Sequence, residues 1–79
     1  MANEWNEAAA TELRAQMGRE RANSHTVAKE SGLSPSSVSR KLKGERAIDL
    51  DEFANMSAAL NVQPSEMFRR VVALIDHAA

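Results

Sequence analysis

Three groups of side chains in this 79-residue sequence have types and spacing that chemistry could use. They are a serine cluster at Ser34, Ser36, Ser37 and Ser39, two histidines, and a run of cations. A serine nucleophile needs a neighbouring base and a sharp strand-turn-helix setting, and the cluster has neither. His25 and His77 stand too far apart to resemble a ligand pair, and no cysteine is present to add a thiolate. No second histidine or paired carboxylate shares a face with His25, so neither a metal centre nor a general base is expected there. No enzymatic activity and no cofactor are expected. The cations are different. From Ser34 to Arg46 the chain holds Arg40, Lys41, Lys43 and Arg46 against Glu45 alone, whereas residues 47–68 hold Asp49, Asp51, Glu52 and Glu66 with no base. A positive stripe is thus set in a chain whose net charge is only −1, which argues against an indiscriminate binder of polyanions. Taken alone, a run this short is as often a solvated face as a binding surface.

The elements that must position these groups follow from composition and periodicity. With 43% apolar residues and three aromatics, Trp5, Phe53 and Phe68, the packing falls to Ala, Leu, Val, Ile and Met, which favours helices. The length suits one domain over residues 1–79. No run approaches the roughly 20 apolar residues a membrane span needs. The N-terminus lacks the basic start and apolar stretch of a signal peptide, so a cytosolic protein with no membrane partner is expected.

Between Gly18, Gly32, Pro35, Gly44 and Pro64 the apolar residues recur at helical spacing, which predicts five helices and no strands. The first runs from about Asn6 to Glu20 with Ala9, Leu13 and Met17 inward, and Gly18 weakens its last turn. The second runs from about Ser24 to Ser31, capped by Asn23 or Ser24 and ended by Gly32, with Val27 and Ala28 inward. Ser34 caps a third that begins at Pro35, buries Val38 and Leu42 and ends at Gly44. Asp49 and Glu52 make a capping box for a fourth with Phe53, Met56, Ala59 and Leu60 inward, stopped at Asn61. The last, about 64–77, carries the stripe Met67, Val71, Leu74 and Ile75, widened by Phe68 and Val72. Trp5 is expected to staple the first helix to the last. The C-terminal stripe has two readings: core packing against the first helix, or an exposed face on which two copies meet.

The informative pattern is Val27-Ala28-x-x-x-Gly32-Leu33-x-x-x-x-Val38. Ala28 allows the two helices to cross closely, Gly32 permits the positive φ of a sharp turn, and Val27, Leu33 and Val38 fill the wedge beneath. This stretch resembles the helix-turn-helix of the Xre/Cro and lambda-repressor-like family. The likeness extends through Ser39-Arg40-Lys41-Leu42-Lys43-Gly44-Glu45-Arg46 and Leu60-Asn61-Val62-x-x-x-Glu66-Met67-Phe68, covering roughly residues 13–68. The chain departs from the family at Lys41, where an apolar residue is usual, and at Ser31, which replaces a larger one. The basic run is also similar to that of actinobacterial phage repressors.

The resemblance implies an all-α, five-helix lambda-repressor-like domain, with the motif at about 24–43 and the helix from Ser34 entering the major groove. It nominates Pro35, Ser36, Ser37, Ser39 and Arg40 to face base edges. Arg40 is the main discriminator, since its fork can bond guanine O6 and N7 together. Pro35 donates nothing, so shape and water carry part of the selectivity. Phosphates would meet Asn23, Ser24 and His25 at one helix N-terminus and Lys43 and Arg46 at another point. The implied protein is a repressor binding double-stranded operator DNA in a bacterial or phage-infected cytoplasm, associated with the nucleoid. It would be a homodimer through the C-terminal helix under the second reading of the stripe. Such a chain is either a whole miniature phage-type or antitoxin-type repressor or the N-terminal domain of a larger one. The alternative is a helix-turn-helix fold used as a protein adaptor or anti-repressor, through the acids around Asp49 to Glu52 and the apolar C-terminal stripe.

Overall fold

The computed structural model describes residues 4–78. It contains five helices: α1 (Glu4–Glu20), α2 (Ser24–Ser31), α3 (Pro35–Leu42), α4 (Leu50–Ala59) and α5 (Pro64–Ala78), with no strand among the described residues. The all-α, five-helix architecture expected from periodicity is therefore the one observed. α1 starts two residues before the expected Asn6, taking in Glu4, which with Glu7 puts two carboxylates in its first turn. They suit the positive end of the helix dipole.

Local signals explain most boundaries. Asn23, not Ser24, caps α2, its side chain accepting the Thr26 N–H at 3.0 Å. Ser34 caps α3 by accepting the Ser37 N–H at 3.1 Å, and Pro35 occupies the first turn, where its missing N–H costs nothing. Asp49 and Glu52 form the reciprocal box at α4, with bonds of 2.8 and 3.0 Å. The C-terminal ends share one device. Arg21, Gly32, Gly44 and Asn61 each take a positive φ, between 54° and 83°, and turn the chain off the helix axis. After α1, α3 and α4, the next residue's N–H reaches back to a carbonyl five positions earlier, the Schellman closure. α3 thus ends at Leu42, slightly before the expected Gly44, which is instead the left-handed residue just beyond it.

α1 packs on α5, α2 lies between α3 and α4, and α1 also touches α3 and α4. The core is drawn from all five helices: Leu13, Val27, Val38, Met56, Leu60, Met67 and Val71 are fully buried. Ala28 lies buried on α2, where that helix meets its two neighbours, and Leu33 packs against the cluster from the turn. The expected inward face of α1 needs correction. Leu13 is buried, but Ala9 and Met17 are only partly so, while Ala8, Ala10 and Gln16 are buried. Contact with three helices widens the buried arc beyond a single stripe. Gln16 sits there without penalty because every polar atom of its amide is used: it donates to the Leu60 carbonyl at 3.2 Å and to Glu20, and accepts from Arg19 and Arg70.

Trp5 does join α1 to α5. Its ring stacks on Phe68 with centroids 5.9 Å apart, and Phe68 meets Phe53 of α4 edge-on at 6.4 Å. Of the C-terminal stripe, Met67 and Val71 are in the core and Leu74 and Ile75 are partly buried, while Phe68 stays half exposed.

Candidate nucleic-acid interface

The buried pair Val38 and Leu42 fixes how α3 is turned. At about 100° per residue, Arg40 points almost opposite to the mean direction of that pair, with Ser36, Ser39 and Lys43 beside it. These four stand at spacings of three, four and seven residues and form the outward row of the helix, with Arg40 and Lys43 exposed. Pro35 and Ser36 begin the row at the N-terminal end.

The tight turn at Gly32, with φ of 77°, sets the N-terminus of α2 beside this row. Ser24, His25, Pro35, Ser36, Ser39, Arg40, Lys43 and Glu45 line one open depression. Seven of the ten residues nominated from sequence are therefore gathered on one concave face. The amides of the first turn of α2 lack intrahelical acceptors by construction, and Asn23 takes only that of Thr26. The amides and dipole of that terminus, together with Arg40 of α3 and Lys43 at its C-cap, thus offer positive potential to the same space.

Three nominated residues lie outside the depression. The Asn23 side chain is engaged as a cap and also accepts from the Thr26 hydroxyl at 3.2 Å. Ser37 is turned toward the cap, its Oγ accepting from the Ser34 hydroxyl at 3.1 Å. Arg46 is exposed in the turn after α3. Arg40, Lys43 and Arg46 pair with no carboxylate among the described residues. His25 likewise belongs to no cluster of potential metal ligands among them.

Lys41 leaves the positive stripe that sequence assigned to it. Its ammonium bonds the Ala47 carbonyl at 2.9 Å and the Glu52 carboxylate at 3.0 Å, with its side chain only 13% exposed. The aliphatic stem thus takes the place of the apolar side chain usual in the family, and the charged end ties α3 to the α4 cap. The same turn is held by Asn6, whose side chain accepts the Ile48 N–H at 2.8 Å, and by Arg14, which donates to the Leu42 carbonyl. Sequence reading missed these anchors and missed Glu45, whose proximity to the α3 row follows from the Gly44 turn.

An all-helical domain with a capped helix-turn-helix and an unpaired, donor-rich face on its second helix defines a class of nucleic-acid-binding module. A family model for the Cro/C1-type helix-turn-helix DNA-binding domain matches residues 12–72, and the chain belongs to that family. It is a DNA-binding regulator domain, and its partner is DNA. A comparison with curated proteins finds no match to the chain. No helix among the described residues is long and apolar enough to cross a membrane.

Proposed function

We propose that the chain is a transcriptional repressor that reads operator DNA with α3 in the major groove. The observation that carries this reading is the outward row Ser36, Ser39, Arg40 and Lys43, gathered with Ser24, His25 and Pro35 on one concave face. Arg40 reads guanine through its O6 and N7, and Ser36, Ser39 and Pro35 contact neighbouring base edges. Asn23, Ser24, His25, Lys43 and Arg46 meet phosphates, and Ser37 supports the α3 cap close to the backbone. Two copies bind half-sites about 10 to 10.5 base pairs apart, meeting through α5 and the apolar surface beside it. The protein works in the cytoplasm of a bacterium or phage-infected bacterium, on the nucleoid.

A second reading, protein contact as adaptor or anti-repressor, has one observation in its favour. Trp5, Leu50 and Phe68, exposed at 50%, 83% and 47%, converge on a groove bordered by Asp49. Selection of the purified protein on random duplex DNA near physiological salt tests both. Enrichment of a two-fold-symmetric motif supports the dimeric repressor, and a single half-site supports a monomeric reader. Absence of enrichment favours the protein-contact reading.

A further inference from the structure

Glu45 is out of keeping with its surroundings. It is exposed, shares the depression with Arg40, Ser39 and Lys43, and pairs with no cation among the described residues. Its place is fixed by backbone geometry. Gly44 takes a φ of 83°, and the Glu45 N–H closes on the Arg40 carbonyl at 2.9 Å, so the chain folds back against the end of the α3 row.

A carboxylate held on a face that approaches a polyanion is opposed by the phosphates once water is excluded. It accepts and does not donate, so it needs a donor on the DNA. The major groove offers two, the exocyclic amino groups of cytosine and adenine. Adenine's amino group lies between two acceptors, its own N7 and the O4 of the paired thymine, which repel a carboxylate from both sides, whereas cytosine's N4 amino group has an acceptor on one side only, the O6 of the paired guanine, and is open toward its own C5 edge. Arg40, a donor-only fork, cannot read this group.

We propose that Glu45 is a specificity-determining residue that accepts a hydrogen bond from a cytosine N4 amino group, at a base pair near the one Arg40 reads. The proposal rests on the assignment of α3 to the major groove. It is tested with the wild-type chain, Glu45→Ala and Glu45→Gln. Each is selected on random duplex DNA at one salt concentration, then titrated against the best sequence, its single-base variants and an unrelated duplex. Wild type is expected to show one position at which cytosine is preferred by about tenfold or more. Glu45→Ala loses that preference alone while keeping the others, and Glu45→Gln, which retains an acceptor, keeps part of it. A uniform rise in affinity for every duplex with an unchanged preference profile would overturn the proposal, because Glu45 would then act only as a repelling charge. An unaltered profile and affinity would overturn it as well. A wild-type protein that enriches no sequence is a separate outcome, which removes the α3 assignment and this proposal with it.

Discussion

Arg40 and Lys41 are neighbours in the chain and opposites in the fold. One is exposed on the outward row of α3, while the other is folded under the turn onto Ala47 and Glu52. Two predictions separate them. Arg40→Ala should leave the fold intact, since the side chain makes no hydrogen bond among the described residues, and should lose about 1–3 kcal/mol of discrimination at one base position. Circular dichroism with titration of single-base operator variants checks both halves of that statement. Lys43→Ala should weaken binding to all duplexes alike and reduce the slope of log affinity against log salt by about 1, whereas Lys41→Met should leave that slope unchanged. A matching drop for Lys41→Met would return that ammonium to the DNA-facing set. The glycines divide in the same way. Gly18 lies inside α1 with nothing within 4 Å of where a Cβ would stand, so Gly18→Ala should stabilise by about 0.5–1 kcal/mol. Gly32 has equally open surroundings but a φ of 77°, so Gly32→Ala should destabilise by about 1 kcal/mol or more. Thermal unfolding resolves the opposite signs, because 1 kcal/mol moves Tm by about 4–8 °C in a domain of this size.

At the scale of elements, what could be read ahead of the structure was what is decided within a few residues. Ser34 with Pro35, the box of Asp49 and Glu52, and Gly32 each act over three or four positions, so the residue types already contain their geometry. α3 depends most on such a cap, being eight residues long. Ser34→Ala should cost about 1 kcal/mol, and because the cap orients the first turn that carries Pro35 and Ser36, it should also weaken operator binding. Chemical denaturation alongside a binding titration tests the coupling; lost stability with unchanged affinity would show that the first turn is held by packing alone. What could not be read is what spans the chain. Gln16 is polar and falls between apolar neighbours, so periodicity alone leaves it outside, yet it is buried because Arg70 lies 54 positions away and Leu60 44 away. Asn6 holding Ile48 across 42 positions is another such case. These partners meet only after the helices have packed, and Asn6 anchors the far end of the turn that carries Glu45 and Arg46 past α3.

For the whole molecule, the uneven distribution of its surface matters more than its net charge. The donor-rich concavity is formed by α2, α3 and the turn after α3, and the apolar exposure by the N-terminal parts of α1, α4 and α5. α5 itself carries two adjacent stripes: Met67 and Val71 face the core, and Phe68, Val72 and Ile75, again four and three apart, remain partly open. Beside them Leu50 is 83% exposed at the start of α4 and makes no contribution to the buried core, so Leu50→Ser should not lower stability appreciably. Val72→Ser likewise removes apolar surface from the open stripe. If two copies meet there, both variants should bind an isolated half-site as wild type does, yet lose affinity for a paired site because burial between the copies is reduced. Gel-shift titrations on one and two half-sites, with sedimentation velocity on the free protein, measure the difference. Equal affinity of wild type and variants for the paired site would detach the apolar surface from self-association and leave it to the protein-contact reading.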